Sequence, residues 1–322
     1  MTTHHAHHGL PLWQRARRHR YAWKAAIASA VVALLAAGCG SGAGNAASAA
    51  PSRAAAKGVP AGHEDPAARS GVPAAIRAKG TLVVGTSADY APLEFVAPDG
   101  HTIIGMDADL AHAIGQVLGL KVQMVNATFD SLIPGLAAAR YNLVMAGMND
   151  YKSREKVVTF VDYFSAGTSF YERSSGGPHV LSLASLCGHS VAVESGTSEQ
   201  TDANAQNTAC KKAGKPAVTV QVYNDQNAAN LALASGRAQV GMADSPVAGY
   251  IVKQSHGEFK LVGHSYGTVP DGIAMPKNEA MAKPVLAAVK ALMADGIYAK
   301  ILAKWGVQAG ALTAPKINGA IS

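Results

Sequence analysis

Residues 146–160 read AGMNDYKSREKVVTF, an apolar run that breaks into a polar loop and resumes as alternating apolar residues. Arg154 follows a loop that leaves a strand. Its planar guanidinium matches both oxygens of a carboxylate, which a lysine would hold only as a point charge. A lone loop arginine is more often a surface charge, here beside Glu155, so its meaning depends on the chain around it.

Working back from the loop, NLVMAGM reads as the strand feeding it, SLIPGLAAA as a helix and KVQMV as a strand. Before these, Asp107 reads as an N-cap, followed by Leu110, Ala111, Ile114, Val117 and Leu118 at helical spacing, with Gly119 as the stop. TLVVGT (81–86) is a buried strand that ends in the polar loop SADYAPLEF. Strand and helix alternate, which predicts a mainly parallel α/β sheet.

Working forward, residues 166–171 form an extended crossing, after which the alternation starts afresh. HSVAVE leads through Ser195-Gly196-Thr197 into a helix, with Thr197 to Gln200 fitting a capping box. VTVQVY precedes DQNAANLALASG, and AQVGMA precedes Asp244 and the helix VAGYIVKQ. FKLVG closes this second unit, residues 264–270 cross back, and GIAMP with the amphipathic stretch 279–305 must return to the first unit. Two lobes joined by two crossings make a hinged clamp. Ligands of open parallel sheets sit at strand ends and helix N-termini, where unpaired N–H groups favour anions.

The N-terminus of the 322-residue chain has Arg15, Arg17, Arg18, Arg20 and Lys24, then thirteen apolar or small residues from Ala25 to Ala37, then Gly38-Cys39. A helix of that length rises about 20 Å, short of a bilayer core of about 30 Å, so residues 1–38 read as a signal peptide rather than a membrane span. The small residue before Cys39 resembles a bacterial lipobox, with Ala36 where that motif more often has Leu; Cys39 is the expected lipidation site. The histidines at 4–8 fall in the segment expected to be removed.

Of the formal charge of +7, five of the 28 basic residues precede Cys39 and no acidic one does, which leaves 23 against 21, or +2. A nucleic-acid partner is therefore not expected. In residues 40–73, 25 of 34 are Ala, Gly, Ser or Pro, so 39–73 reads as a lipidated cysteine and flexible tether. Export would allow Cys187 and Cys210 to form a disulfide; two free buried thiols are the alternative at this level.

The segments GTSADYAPLEF, GMDADLAHAIGQVLGLKVQ, FDSLIPGL, AGMNDYKSREKVV, VAVESGT and MADSPVAGY, in this order and spacing from about Gly80 to Gly306, resemble the family 3 solute-binding proteins of amino-acid ABC importers. The resemblance implies a two-lobe periplasmic-binding-protein fold (type II) with lobe 1 from 74–168 plus 268–310, lobe 2 from 169–267 and a C-terminal tail at 311–322. It gives Arg154 the ligand α-carboxylate and Asp244 the α-ammonium. Thr197 and Ser198 would add hydrogen bonds to the carboxylate, Gly147 and Asn149 would contact the ammonium, and Tyr90 and Phe129 would sandwich the ligand side chain. Cys187 and Cys210 match a disulfide found in part of this family.

Three departures stand out: Tyr151 where Thr is common, Ser153 where Glu or Asp is common, and Ser87 in place of an acid used by binders of basic amino acids. Ser87 argues for a glutamine- or glutamate-like ligand. The implied function is capture of a polar amino acid by hinge closure and delivery to ABC permease subunits, by a monomer anchored outside the cytoplasmic membrane. Amino-acid sensing without transport is the alternative, and a dehydratase-type enzyme is a lesser one. Glu94 and Glu194 would be its candidate acids, although both read as solvated or packed strand edges. There is no nucleophile elbow, phosphate loop or HExxH, and no metal or cofactor is expected.

Overall fold

The computed structural model describes residues 62–277 and 280–321. Two short helices, α1 (Pro66–Ser70) and α2 (Ala74–Lys79), lead into β1 (Thr81–Thr86). There follow β2 (Asp89–Tyr90), β3 (Glu94–Val96), β4 (Ile103–Ile104), α3 (Met106–Val117), β5 (Lys121–Asn126), α4 (Phe129–Ala137), β6 (Leu143–Val144) and α5 (Lys152–Glu155). Strand β7 (Val158–Arg173) carries the chain into a second unit of β8 (Ser190–Glu194), α6 (Ser198–Lys212), β9 (Thr219–Tyr223), α7 (Gln226–Ala234), β10 (Val240–Asp244) and α8 (Ser245–Gln254). Strand β11 (Phe259–Pro276) returns, and α9 (Ala282–Ala294) and α10 (Ile297–Trp305) finish the first unit.

Eight strands form one sheet in the order β5-β1-β6-β11-β7-β10-β8-β9, while β2, β3 and β4 form a small separate one. The flanking triplets explain the alternation read from sequence: β1 is parallel to β5 and β6, and β8 is parallel to β9 and β10. The long antiparallel pair β7 and β11 runs through both units and is the pair of crossings. Its register slips between Val262 and Tyr266, between Tyr266 and Val269, and between Asp271 and Gly272. Each slip interrupts the ladder and bends the strand, so the break in regular pairing falls where the chain passes from lobe to lobe.

Apolar periodicity explains the cores. Leu110, Ile114 and Val117 of α3 pack with Leu82 and Val84 of β1 and with Val285, Leu292 and Ile301 of the last helices, all at 2% exposure or less. Leu132, Leu136, Val144, Met148 and Phe160 fill the other face of the first lobe. Phe170, Val191, Val193, Val240 and Met242 fill the second. Each such side chain contributes roughly 1.5–3 kcal/mol by leaving water.

Several expectations shift. The amphipathic stretch forms two helices, Ala282–Ala294 and Ile297–Trp305, separated at Asp295-Gly296, where Gly296 adopts a left-handed φ of 71°. The tether ends earlier than its composition implies. Asp65 caps α1 by accepting from the Ala67 and Ala68 N–H groups, and Ala68 and Val72 are buried against the first lobe. A low-complexity count hides these residues because alanine and valine suffice to fill a shallow groove. Asp107 is not the N-cap of α3, which is Gly105; it lies one turn position inside the helix, fully buried. Residues 1–61, with the expected signal peptide, Cys39 and most of the tether, lie outside the described residues.

Cys187 and Cys210 are joined by a disulfide with Cα atoms 5.7 Å apart, tying the segment before β8 to the end of α6. The C-terminal segment is not a loose tail. It runs beside the start of β7, with bridges from Ala311 to Phe164 and Ile317 to Val161, and the Asp162 N–H donates to the Lys316 carbonyl at 2.8 Å.

Candidate functional site

The strand ends of both lobes meet at the cleft. Ser87, Tyr90, Glu94, Phe129, Gly147 and Asn149 face Glu194, Thr197, Ser198, Glu199 and Asp244 around a narrow cavity of about 10 Å³, room for about one water. The lobes are drawn together. The Ser195 hydroxyl donates to Asp130 (3.1 Å), the Ser198 hydroxyl to Asn149 Oδ1 (2.8 Å), and the Asp244 N–H to the Tyr90 hydroxyl (2.9 Å), each across the cleft.

Seven of the eight ligand-contact residues expected from sequence line this cavity: Tyr90, Phe129, Gly147, Asn149, Thr197, Ser198 and Asp244. Arg154 does not. It lines the adjoining pocket with Tyr151, Gly196, Ser198 and Asp202. Its guanidinium lies 5.5 Å from the Phe129 ring centroid and 5.8 Å from that of Tyr151, donating to the carbonyls of Asn149 (2.9 Å) and Gly196 (3.1 Å). Burial lowers its pKa from the ordinary guanidinium value, a shift the nearby Glu199, Asp244 and Asp271 carboxylates oppose. Tyr151, bulky where the resemblance has a small residue, thus forms a wall for the arginine rather than a wall of the central cavity.

Local sequence explains these positions. Gly147 takes a φ of 51°, and a Cβ there would approach Leu93 Cδ1 to 2.9 Å, so only glycine lets the loop turn this close to Tyr90. Its N–H donates at 2.9 Å to Asp107, whose carboxylate also receives the Tyr163 hydroxyl at 2.7 and 2.8 Å. Gly196 takes a φ of 80° and a Cβ would meet Asp130 Cβ at 2.9 Å, which lets the two lobes touch here. Thr197 caps α6 by accepting from the Gln200 N–H, but Gln200 reaches back to the Gly196 N–H rather than to that of Thr197. The expected reciprocal box is therefore displaced by one residue.

Sequence reasoning missed much of the site's charge. Glu94 and Glu194, expected on strand edges, are buried and line the cavity with Glu199. Glu199 accepts from Thr168 at 2.7 Å and from Ser198 at 3.0 Å. Asp271, on the hinge strand β11, accepts from Asn149 Nδ2 at 2.7 Å and so fixes the amide whose oxygen meets Ser198. Nothing in the spacing of VPDGIAMP distinguishes Asp271; its pairing with Asn149 comes only from the sheet.

Burial pushes these acids up. Glu94 is raised far above the usual carboxylate range, first by desolvation and then by the neighbouring Asp107, while burial raises Asp107 itself to about 6. Desolvation, Asp89 and Glu199 push Glu194 up to about 9. Asp244 is likewise raised by burial, Glu199 and Asp271, with Arg154 and Asn149 pulling against them. Both oxygens of Glu94 and Oε1 of Glu194 are buried without a hydrogen-bond partner. Among the described residues no group of three or more His, Cys, Asp or Glu is placed to hold a metal ion.

The family model for bacterial extracellular solute-binding proteins, family 3, matches residues 82–308. The chain is 31% identical over 248 residues to the arginine-binding protein ArgT of Corynebacterium glutamicum, covering 77% of this chain and 81% of that one. It is 30% identical over 239 residues to the ABC transporter glutamine-binding protein GlnH of Bacillus subtilis, covering 72% and 83%. A solved ancestral arginine-binding protein bound to arginine matches with a TM-score of 0.64 at 34% identity, over 70% of this chain and 98% of that one. By their names these relatives bind ligands rather than transform them.

Proposed function

This chain belongs to the bacterial extracellular solute-binding proteins, family 3, and we propose that it captures an amino acid with a cationic side chain and passes it to ABC permease subunits. Its fold is the two-lobe periplasmic-binding-protein type, and its ligands are polar amino acids. The observation that carries the finer reading is the surplus of carboxylates. Glu94, Glu194, Glu199 and Asp244 line one cavity, and a zwitterionic backbone with a neutral side chain needs only one of them.

Two like charges about 5 Å apart cost about 3 kcal/mol at an effective dielectric near 20, so the surplus favours a second cation and opposes a glutamate side chain. In this reading the glutamine- or glutamate-like preference, drawn from the resemblance and from Ser87, gives way because Glu194 of the second lobe lines the same cavity as Ser87 and brings an acid there. The arginine-binding names of relatives support the same reading.

In this proposal Arg154 with Thr197 and Ser198 holds the α-carboxylate, and Asp244 with Gly147 and Asn149 holds the α-ammonium. Tyr90 and Phe129 flank the side chain, and Glu194 meets its cation. Residues 74–168 plus 268–310 move against 169–267 about the β7 and β11 crossings. Because the contacts come from both lobes, a bound ligand shifts the equilibrium further toward the closed state, adding to the direct hydrogen bonds across the cleft. Removal of residues 1–38 and lipidation of Cys39 would hold a monomer at the outer face of the cytoplasmic membrane.

Calorimetry against arginine, lysine, ornithine, histidine, glutamine and glutamate tests the reading. Tighter binding of the cationic set supports it, and preference for glutamine or glutamate refutes it. Loss of uptake on gene deletion separates transport from sensing.

A further inference from the structure

The side-chain end of the cleft is not capped. Ser87 forms part of the wall of the central cavity and part of the wall of a second pocket of about 460 Å³, whose other walls include Asp89, Asn126, Asn224, Asp225 and Asn227. Ser87, a small side chain, is the one residue that lines both the cavity of about 10 Å³ and this much larger space.

Ser87 stands between two acids. It lines the central cavity together with Glu194 and the outer pocket together with Asp89, and its hydroxyl has one proton to give. Glu194, only 2% exposed, retains Oε1 without a partner, and Asp89 retains Oδ1. The two come from opposite lobes, Asp89 in β2 and Glu194 at the end of β8. A cation with several N–H donors placed at Ser87 would serve both carboxylates at once. Beyond it, the outer pocket offers amides and the Asp225 carboxylate, which caps α7 by accepting from the Ala228 N–H.

Resting on the reading that the ligand is a cationic amino acid, we infer that this site accepts side chains carrying a further substituent on the distal nitrogen, the cation held between Glu194 and Asp89 and the substituent passing Ser87 into the outer pocket. The substituent is neutral or cationic, because Asp89 and Asp225 repel an anionic one.

The test is calorimetry on the mature protein with arginine, Nω-propyl-arginine and Nω-carboxymethyl-arginine, repeated on Asn227→Trp, an exposed position whose indole would fill the outer pocket. The expected result is a Kd for the propyl ligand within tenfold of that for arginine, with the carboxymethyl ligand more than tenfold weaker. Asn227→Trp should weaken the propyl ligand at least tenfold more than it weakens arginine. If arginine binds and the propyl ligand is more than tenfold weaker, or if Asn227→Trp affects both alike, the open end is refuted and the cationic reading stands. If no arginine compound binds while a neutral amino acid does, both fall.

Discussion

The guanidinium of Arg154, in the first lobe, donates at 3.1 Å to the carbonyl of Gly196, in the second. The arginine is thus a bridge as well as a proposed ligand contact. Arg154→Ala removes both roles, and loss of one partner of a buried charge pair typically costs about 2–5 kcal/mol. The expected result is a loss of affinity of roughly thirtyfold or more by calorimetry. A loss below about threefold would contradict the assignment.

Ligand binding should release a proton. Glu194, raised to about 9 by burial and by Asp89 and Glu199, holds its proton near neutral pH in the ligand-free closed state, whereas a cationic side chain binds the ionised form. Affinity should therefore rise with pH up to about 9 and fall on acidification. Titrations at pH 7 in buffers of different ionisation enthalpy would measure the proton directly, and Glu194→Gln should abolish it together with the preference for cations.

Stability without ligand should run the opposite way to that of proteins held by salt-bridged acids. Asp107 rises to about 6 and Asp162 to about 8, in both cases chiefly through desolvation, with the neighbouring Asp150 adding to Asp162. Their unfolded counterparts titrate near 4. Between those values the folded state binds more protons than the unfolded one, so stability falls as pH rises from about 4 to about 8. Thermal denaturation should give a higher Tm at pH 5 than at pH 8, and a Tm that climbs across this range would refute the account.

The disulfide closes a segment with a sequence separation of 23 residues. Chain entropy assigns a loop of this size about 3 kcal/mol. Replacing both cysteines by serine should lower Tm by several degrees while leaving amino-acid affinity within about threefold, since Cys187 and Cys210 line neither the cavity nor the pocket around Arg154.

The lobes, their alternating strands and helices and the two crossings were legible because apolar runs such as TLVVGT and HSVAVE carry them locally. Glycines at 147 and 196 were legible as loop residues, and their roles match tight contacts that no side chain would allow. Beyond Arg154 and Asp244, the charge of the site was not legible. Glu94 and Glu194 sit in strands where burial depends on the opposite lobe, and Asp271 acquires its partner Asn149 from 122 positions away. Ser87 pointed toward a glutamine- or glutamate-like ligand because Glu194, which lines the same cavity, comes from the other half of the chain.

The C-terminal segment beside β7 has a mechanical reading. The Ala320 N–H donates to Asp150 at 3.1 Å, one residue from Asn149, and Asn318 pairs with the backbone of Phe160. Residues 311–320 therefore act as a splint laid along the start of the crossing strand, reaching from Phe164 to the binding loop. Lifting residues 311–320 would free the Phe160 N–H and one oxygen of Asp150 at once, so the loop that carries Asn149 is braced by chain 170 positions away.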